Sequence, residues 1–302
     1  MNSQKDAIVI CTYRRKPDLD RCLRSILQHK DRPEIIMVVD GDSDQTLAEW
    51  IFIEFPSVTY VQSEKGLTLQ RNLAIQLLTN VRYIFFLDDD TELLGEYFSR
   101  VIETFKSTCA IGVGVTPLPY VINREHSLHG FLGQALYRVL GQVSAKQGIV
   151  TRSGLNSSRY HGEGPADWLP GCSMTYHRES IGQTRFDKRR AGYGLGEDVD
   201  FGLKMSSKGL LYWTSNPQIV HHQSPANRIR SGLIVRQYVR HKWTLACDSL
   251  GQVSKPAVIL GIVGQFLFWI INGLWWRKLD PFLFALATVN GLVDILRKGP
   301  LR

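Results

Sequence analysis

The sequence predicts an α/β protein in which a mostly parallel sheet is flanked by helices and followed by an apolar helical segment. Three observations predict this fold. Short apolar runs alternate with amphipathic stretches in the first third of the chain, which is the rhythm of β-α-β units. Polar residues collect where the apolar runs end, as expected where strands of a parallel sheet terminate. Residues 257–276 carry no charge and can form a long apolar helix.

The first β-α-β unit is the clearest. Residues 7–11 (AIVIC) and 35–39 (IIMVV) are β-branched apolar runs, typical of buried parallel strands. Between them, Pro17 suits the first turn of a helix. Five apolar residues share one face of that helix: Leu19, Cys22, Leu23, Ile26 and Leu27.

The same pattern continues along the chain. Helices are predicted around 46–54, at Leu69, Leu73 and Leu77, over 128–143 and over 198–208. Strands are predicted at 58–62, 83–87, 111–116 and within 168–177. The strand at 83–87 is followed by three carboxylates, Asp88, Asp89 and Asp90.

Three adjacent like charges repel one another unless something positive lies beside them. Acids at the carboxyl end of a strand can hold a divalent cation, because hard cations prefer carboxylate oxygens. The alternative is a solvated turn whose acids cap the following helix. The triplet alone does not decide between the two.

Composition limits the class of protein and its partners. The chain has 302 residues and a net charge of +8, which favours an anionic partner such as nucleotide phosphates, a lipid surface or nucleic acid. Its five cysteines are scattered without a CxxC pair, which argues against a disulfide framework or zinc site and favours a reducing compartment. The first residues lack the features of a signal peptide, so we expect the protein on the cytoplasmic side.

The apolar tail predicts contact with a membrane. Residues 257–276 are long enough to cross a bilayer, and residues 275–278 (WWRK) have the chemistry of interface anchors. Gln265 and Asn272 count against spanning. The pattern leaves open whether the tail spans, re-enters or lies in the plane of the membrane, or forms a buried hairpin on the globular domain.

Five motifs occur in one order: AIVICTYRR, VVDGDSD, GLTLQRN, FFLDDD and GEDVDF. Together they resemble the family 2 glycosyltransferases over residues 6–225. The resemblance implies a GT-A fold, whose sheet is Rossmann-like. It also implies inverting transfer of a sugar from a nucleotide-diphosphate sugar to a hydroxyl of a glycan or lipid-linked acceptor, with Mn²⁺ or Mg²⁺ assisting the leaving group.

The resemblance also implies roles for residues at matching positions. The predicted contacts to the nucleotide sugar are Thr12, Tyr13, Arg14, Asp40, Asp42, Arg71, Asn72, Asp88 and Asp89. Asp40 matches the acid that accepts a hydrogen bond from the base. Arg14, Arg71 and Asn72 have the alternative of being ordinary surface residues.

The metal and catalytic residues follow from the same likeness. Asp90 is the more direct metal ligand, with Asp88 nearer the ribose or a metal-bound water. His221 is favoured over His222 as a further ligand, although a structural or phosphate-contacting role is equally compatible with the pattern. Asp198 is predicted to be the general base that takes the proton of the acceptor hydroxyl. Glu197 is predicted to orient the acceptor, and dipole stabilisation of a helix start is the alternative for both acids.

WLPGCSM, residues 168–174, resembles the segment beneath the acceptor site. Trp168 is predicted to stack on a sugar ring, with a core position as the alternative. Gly171 would permit close approach of the backbone.

The predicted organisation has three parts. Residues 1–225 form the glycosyltransferase domain, with a nucleotide-binding half at about 1–115 and an acceptor half at about 116–225. Residues 226–254 form a basic connector, and 255–302 an apolar tail. We expect an enzyme of envelope polysaccharide synthesis at the cytoplasmic face of a membrane, peripheral or inserted by its tail, without nucleic acid as partner.

Two other functions fit parts of the sequence. A basic protein that binds membrane or nucleic acid would explain the charge, but not the acids at the strand ends. A nucleotidyltransferase would also bind a nucleotide over a parallel sheet. However, it usually carries a Gly-rich loop after the first strand, where this chain has CTYRRKPDLD.

Overall fold

A computed structural model describes residues 4–118, 148–156, 162–190, 194–224 and 231–301. The chain divides into two compact units. The first comprises Met1–Tyr120 and His161–Arg228, and the second Val121–Tyr160 and Ile229–Arg302. Every residue predicted to bind donor, metal or acceptor lies in the first unit, whereas the helix predicted over 128–143 lies outside the described residues.

The first half of the described chain alternates strands and helices as predicted. Its elements are β1 (Lys5–Thr12), α1 (Lys16–Gln28), β2 (Ile35–Asp40), α2 (Thr46–Glu54), β3 (Val58–Gln62), α3 (Leu67–Leu77), β4 (Val81–Asp88), β5 (Thr91–Leu94), α4 (Tyr97–Thr108) and β6 (Gly112–Leu118). The later elements are β7 (Gly164–Ala166), β8 (Ser173–His177), α5 (Arg178–Ile181), a 3₁₀ turn (Lys188–Arg190), α6 (Glu197–Ser206), β9 (Leu211–His221), α7 (Ser231–Cys247), α8 (Lys255–Trp276) and α9 (Asp280–Lys298).

The described strands form one sheet with the order β3-β2-β1-β4-β8-β6-β9-β5, and β7 pairs with β9. The predicted α/β class is confirmed. Strands β3, β2, β1 and β4 are parallel to one another. Beyond them the sheet is mixed rather than mostly parallel, because β8 runs antiparallel between β4 and β6, and β5 and β7 run antiparallel to β9.

The core lies around the parallel strands. Ile8, Ile10 and Phe85 are fully buried, and Leu19 and Leu23 of α1 belong to the same cluster. Each such side chain contributes roughly 1.5–3 kcal/mol to stability when it leaves water. The near-continuous apolar runs that predicted these strands are therefore explained by burial on both faces of the sheet.

Strand register brings the polar strand ends together. Thr12 at the end of β1 pairs with Asp40 at the end of β2, and the preceding residue, Cys11, pairs with Asp88 at the end of β4. On the antiparallel side, Thr91 of β5 pairs with His221 of β9. Since β5 starts directly after the acidic triplet, this pairing sets the histidine beside the acids.

The second unit contains three packed helices among its described residues. Helix α9 packs against both α7 and α8, and α7 also contacts α8. By length and composition, α8 is able to cross a membrane: its apolar window has a mean hydropathy of 2.0, and only 39% of that window is buried.

Candidate active site

Asp88, Asp90 and His221 form a cluster suited to a metal ion. One ligand atom from each lies within 4.8 Å of the others. His221 Nε2 is 3.0 Å from Asp90 Oδ1 and 3.9 Å from Asp88 Oδ2. The other Asp90 oxygen, Oδ2, accepts the Ser224 N–H at 2.8 Å, which fixes the carboxylate. Two carboxylates and one imidazole are a donor set that fits a divalent cation such as Mn²⁺ or Mg²⁺.

The Asp90–His221 contact is electrostatically strong. Burial disfavours both charged forms, yet the pKa of Asp90 is lowered to about 2 by His221 and the Ser224 N–H. The pKa of His221 is raised to about 11 against the effect of burial, by Asp90 and by Cys172. The two side chains therefore form an ion pair, and a cation that binds there replaces the histidine proton.

Asp89 has different partners from its two neighbours. Thr12 Oγ1 donates to Asp89 Oδ2 at 2.8 Å, and Arg15 Nη1 donates to Asp89 Oδ1 at 3.1 Å. Burial raises the pKa of the Asp89 carboxyl to about 7, with Arg15 and Thr12 acting in the opposite direction. The middle acid of the triplet thus ties the turn to β1, and the outer two remain for a ligand.

Arg71 contacts both the cluster of Asp88, Asp90 and His221 and the Glu-Asp motif. Its Nη1 lies 2.5 Å from Glu197 Oε1, and its Nη2 lies 3.1 Å from Asp88 Oδ1. The same Nη2 donates to the Gly171 carbonyl at 2.8 Å. Although burial opposes it, the carboxylates of Glu197 and Asp88 raise the pKa of Arg71, so the guanidinium stays charged. A helix-surface position, the alternative left by the sequence, is excluded, because Arg71 is only 1% exposed.

Glu197 and Asp198 begin α6 in different environments. Glu197 is buried and held by Arg71, and burial raises its pKa to about 8 while Arg71 acts to lower it. Asp198 is half-buried and accepts the N–H groups of Val199 at 2.9 Å and Gly171 at 3.3 Å. Burial raises the pKa of Asp198, which brings the carboxylate closer to the basicity that a general base needs.

A glycine at position 171 lets the backbone come close to Glu197 and Arg71. A Cβ at this position would lie 3.0 Å from Glu197 Oε1 and 3.6 Å from Arg71 Nη1. Any larger side chain would therefore displace the buried ion pair of Arg71 and Glu197. Trp168 occupies the core position that the sequence left open: it is buried, and its ring meets Trp213 edge-on at 5.2 Å between centroids.

Asn72 is used inside the protein. Its Nδ2 donates to the Phe186 carbonyl at 2.9 Å, and its Oδ1 accepts the Phe186 N–H at 2.8 Å. The residue also borders the cleft described next. Its amide thus fastens the 186 segment to α3.

A cleft of about 990 Å³ opens over the ends of β1 and β2. Tyr13, Arg14 and Asp42, three of the predicted donor contacts, line it. Arg14 Nε is 2.7 Å from Asp42 Oδ2, and the Arg14 side chain is 62% exposed. Lys65 Nζ lies 4.1 Å from the centre of the Tyr13 ring, a cation–π contact. A cleft with an aromatic ring and several cations suits a nucleotide.

Thr12 and Asp40 lie behind the cleft wall. Asp40 has no exposed surface, and its oxygens accept the Asp42 N–H at 3.0 Å and the Tyr60 hydroxyl at 3.1 Å. The Thr12 carbonyl accepts the Gln70 amide at 2.8 Å. Neither Thr12 nor Asp40 is among the residues that line the cleft.

Sequence reasoning missed several residues that shape this region. Arg15 holds Asp89, Tyr60 holds Asp40, and Lys65 covers Tyr13. Only Arg15 carried a signal, because it belongs to the quoted AIVICTYRR motif. The others depend on contacts between segments distant in sequence.

We predict a large loss of stability when Arg71 is replaced by Met. The change leaves Glu197 and Asp88 without their buried counter-charge, which costs about 3–5 kcal/mol of unfolding free energy. Urea unfolding followed by circular dichroism measures it. The matched control is Arg100→Met: its ion pairs with Glu96 at 3.1 Å and Glu103 at 3.0 Å are exposed, so the loss should be under about 1 kcal/mol. Equal losses in the two variants would contradict the role given to Arg71.

Comparisons with known proteins show the family to which the chain belongs. The family model described as glycosyl transferase family 2 matches residues 7–159, half of the chain. The succinoglycan biosynthesis protein ExoM of Rhizobium meliloti (strain 1021) is 27% identical over 250 residues, covering 77% of this chain and 71% of ExoM.

Solved structures show the same fold. The mannosyltransferase PcManGT from Pyrobaculum calidifontis, in complex with GDP-Man and Mn²⁺, matches with a TM-score of 0.55 at 14% identity. The match covers all of this chain and 77% of that one. GalNAc-T7 with UDP, GalNAc and Mn²⁺ matches with a TM-score of 0.57 at 15% identity, over 99% of this chain and 59% of that one. The predicted GT-A fold is confirmed, and the chain belongs to glycosyl transferase family 2 and is a glycosyltransferase.

Proposed function

We propose that the protein transfers a sugar from a nucleotide-diphosphate sugar to an acceptor hydroxyl, with inversion at the anomeric carbon. The observation that carries this proposal is the position of Arg71. Its guanidinium contacts Asp88 on one side and Glu197 on the other. The residues proposed to bind the diphosphate and those proposed to bind the acceptor are therefore linked by one side chain. That arrangement holds the leaving and attacking sides of a displacement close together.

The donor is proposed to lie in the cleft beside β1 and β2. The Tyr13 ring, Arg14 and Asp42 would contact the nucleoside, and Lys65 adds positive charge. Two structures with this fold contain nucleotides, GDP-Man in PcManGT and UDP in GalNAc-T7. Both bases are therefore candidates.

Asp90, Asp88 and His221 would hold the metal ion. When bound there, a divalent cation stabilises the negative charge that develops on the departing diphosphate. The imidazole favours Mn²⁺ over Mg²⁺, and the two structures above contain Mn²⁺. Arg15 Nη1, 3.9 Å from Asp90 Oδ2, adds a fixed positive charge beside the cluster.

Asp198 is proposed to remove the proton from the acceptor hydroxyl. Its two backbone hydrogen bonds fix the carboxylate, and its partial exposure leaves it accessible to an acceptor. Glu197 is proposed to orient the acceptor through its second oxygen, Oε2. Among the described residues, that buried atom has no hydrogen-bond partner.

The acceptor is proposed to be a glycan or a lipid-linked sugar of envelope polysaccharide synthesis. The name of ExoM, a succinoglycan biosynthesis protein, supports a polysaccharide product. We place the enzyme at the cytoplasmic face of a membrane. All five cysteines are free, which fits a reducing compartment.

The test is a panel of nucleotide sugars incubated with the protein and Mn²⁺, Mg²⁺ or EDTA. Release of nucleoside diphosphate is measured with and without glycan acceptors, and the anomeric configuration of the product is read by NMR. We expect one donor to be used, greater turnover with Mn²⁺, and an inverted product. A retained configuration, or turnover that EDTA leaves unchanged, would contradict the proposal.

A further inference from the structure

Helices α8 and α9 of the second unit both expose large apolar side chains. On α8 these are Leu260, Val263, Leu267 and Leu274, and on α9 Leu283 and Leu286. We call these six residues the apolar face. They recur at helical spacing, and Leu260 is 71% exposed. Isolated exposed leucines are ordinary, but a row of exposed apolar side chains along one side of a helix, as on α8, is not.

Four polar side chains of the same helices, Gln265, Asn272, Thr288 and Asp294, are buried within the unit, whereas Asn290 of α9 is exposed. Gln265 of α8 is only 7% exposed. Its Oε1 accepts Lys242 Nζ of α7 at 3.1 Å, and its Nε2 donates to Thr288 Oγ1 of α9 at 3.2 Å. Asp294 of α9 is also buried and pairs with Arg236 of α7 at 2.5 Å.

Exposed leucines combined with buried, hydrogen-bonded polar side chains depart from the usual pattern of a water-soluble helical unit, although Val258 and Ile262 of α8 are also buried. In water, apolar residues gain by facing inward and polar residues by facing outward. When the surrounding medium is apolar, polar groups instead face the bundle interior and bind one another. The arrangement of α7, α8 and α9 therefore indicates that the apolar face lies against lipid rather than water.

Charges flank the apolar face. Lys255 begins α8, Arg277 and Lys278 follow it, and Arg297 and Lys298 end α9, all with exposed side chains. The described residues of α8 and α9 include two acids. Asp294 is paired with Arg236, and Asp280 is exposed. This excess of cations complements an anionic lipid surface.

We propose that the apolar face docks the protein on the surface of an anionic lipid bilayer, with α8 and α9 in the plane of the membrane. Spanning is disfavoured by two features. If α8 spanned the bilayer, Gln265 near its middle would lie at the bilayer centre together with its hydrogen-bond partner Lys242, where an ammonium group is costly. The uncharged part of α9, residues 281–293, extends only about 20 Å as a helix, against about 30 Å of hydrocarbon core. This inference is independent of the proposed transfer reaction.

The experiment is vesicle flotation of the full chain. Vesicles contain phosphatidylcholine alone or with phosphatidylglycerol. The test variant is L260E/V263E/L267E, and the matched control is F52E/I53E on α2 of the first unit, where Phe52 is 80% exposed. We expect the unaltered protein and the control to float with anionic vesicles, and the test variant to bind them at least tenfold less. Circular dichroism checks that both variants fold.

Further readouts separate the possible outcomes. Carbonate at pH 11 should release the bound protein, and retention would overturn the in-plane placement. Equal flotation of the test variant would overturn the docking surface. A vesicle-independent dimer that the test variant dissociates would assign the face to a second copy of the chain instead. Transfer to a soluble acceptor should be unchanged in the test variant. Absence of transfer by the unaltered protein would count against the proposed function and not against docking.

Discussion

Replacing Asp198 by Asn is expected to lower the turnover number by about 10² to 10⁴-fold, the usual contribution of a general base. An amide cannot take the acceptor proton, but it has nearly the shape of the carboxylate and keeps one acceptor for the Val199 N–H. Binding of the nucleotide to the cleft should be unaffected, because Asp198 is not among the residues lining it. Steady-state kinetics and calorimetric titration with nucleoside diphosphate measure the two quantities separately.

Asp200 provides the matched control for this variant. It lies on the same helix but is fully buried and paired with Lys204 at 2.6 Å and Arg190 at 3.4 Å. Asp200→Asn should therefore lower the melting temperature while the folded fraction keeps its turnover. The base assignment is wrong if Asp198→Asn turns over normally or if the two variants lose turnover equally.

The pH dependence gives a second readout of the same residue. Burial raises the pKa of Asp198 above 3.8, its ordinary value. A base acts in its ionised form, so transfer should fall as the pH drops through the raised pKa. The acid limb of the pH–rate profile is thus expected above pH 3.8. That limb should be missing from the residual activity of Asp198→Asn.

Replacing Asp90 by Asn is expected to abolish metal-dependent binding of the donor. The variant loses a charged oxygen of the cluster and the ion pair with His221. Removal of a residue that only supports a metal ligand already costs about 10 to 100-fold in metal affinity, so loss of a ligand should cost more. Titration of nucleoside diphosphate with and without Mn²⁺ measures the effect.

Glu92→Gln is the matched control, because Glu92 lies two residues farther on and pairs with His222 at 3.0 Å. This second acid–histidine pair is more exposed and is not in the cluster. Its removal should leave the Mn²⁺ dependence intact. Donor binding by Asp90→Asn that still rises with Mn²⁺ would refute the ligand assignment.

The contrast between the Asp90–His221 and Glu92–His222 pairs shows what the sequence could and could not predict. Because neighbours on a strand face opposite sides, only one of His221 and His222 could reach the acids. The choice depends on the register of β9 with β5, where His221 pairs with Thr91. Local sequence does not encode that register, so the family resemblance had to favour His221.

The first half of the sheet was predictable because each strand is an apolar run followed by a helical stretch. The mixed half was not, since β8, β6 and β9 pair across long sequence separations that periodicity does not report. The same reason applies to the site. Arg71 and Glu197 are 126 residues apart, and only the folded structure brings their side chains together. The acidic triplet, by contrast, was visible as charge where a buried strand ends.

We propose that Asp88, Asp90 and His221 bind a divalent ion that neutralises the departing diphosphate. The most direct measurement is an anomalous difference map from a crystal soaked with Mn²⁺ and a nucleoside diphosphate. We expect a manganese peak within bonding distance of Asp90 and His221, with diphosphate oxygens bound to the side of the ion that faces away from these residues. A nucleotide bound in the cleft with no peak at these three residues would contradict it.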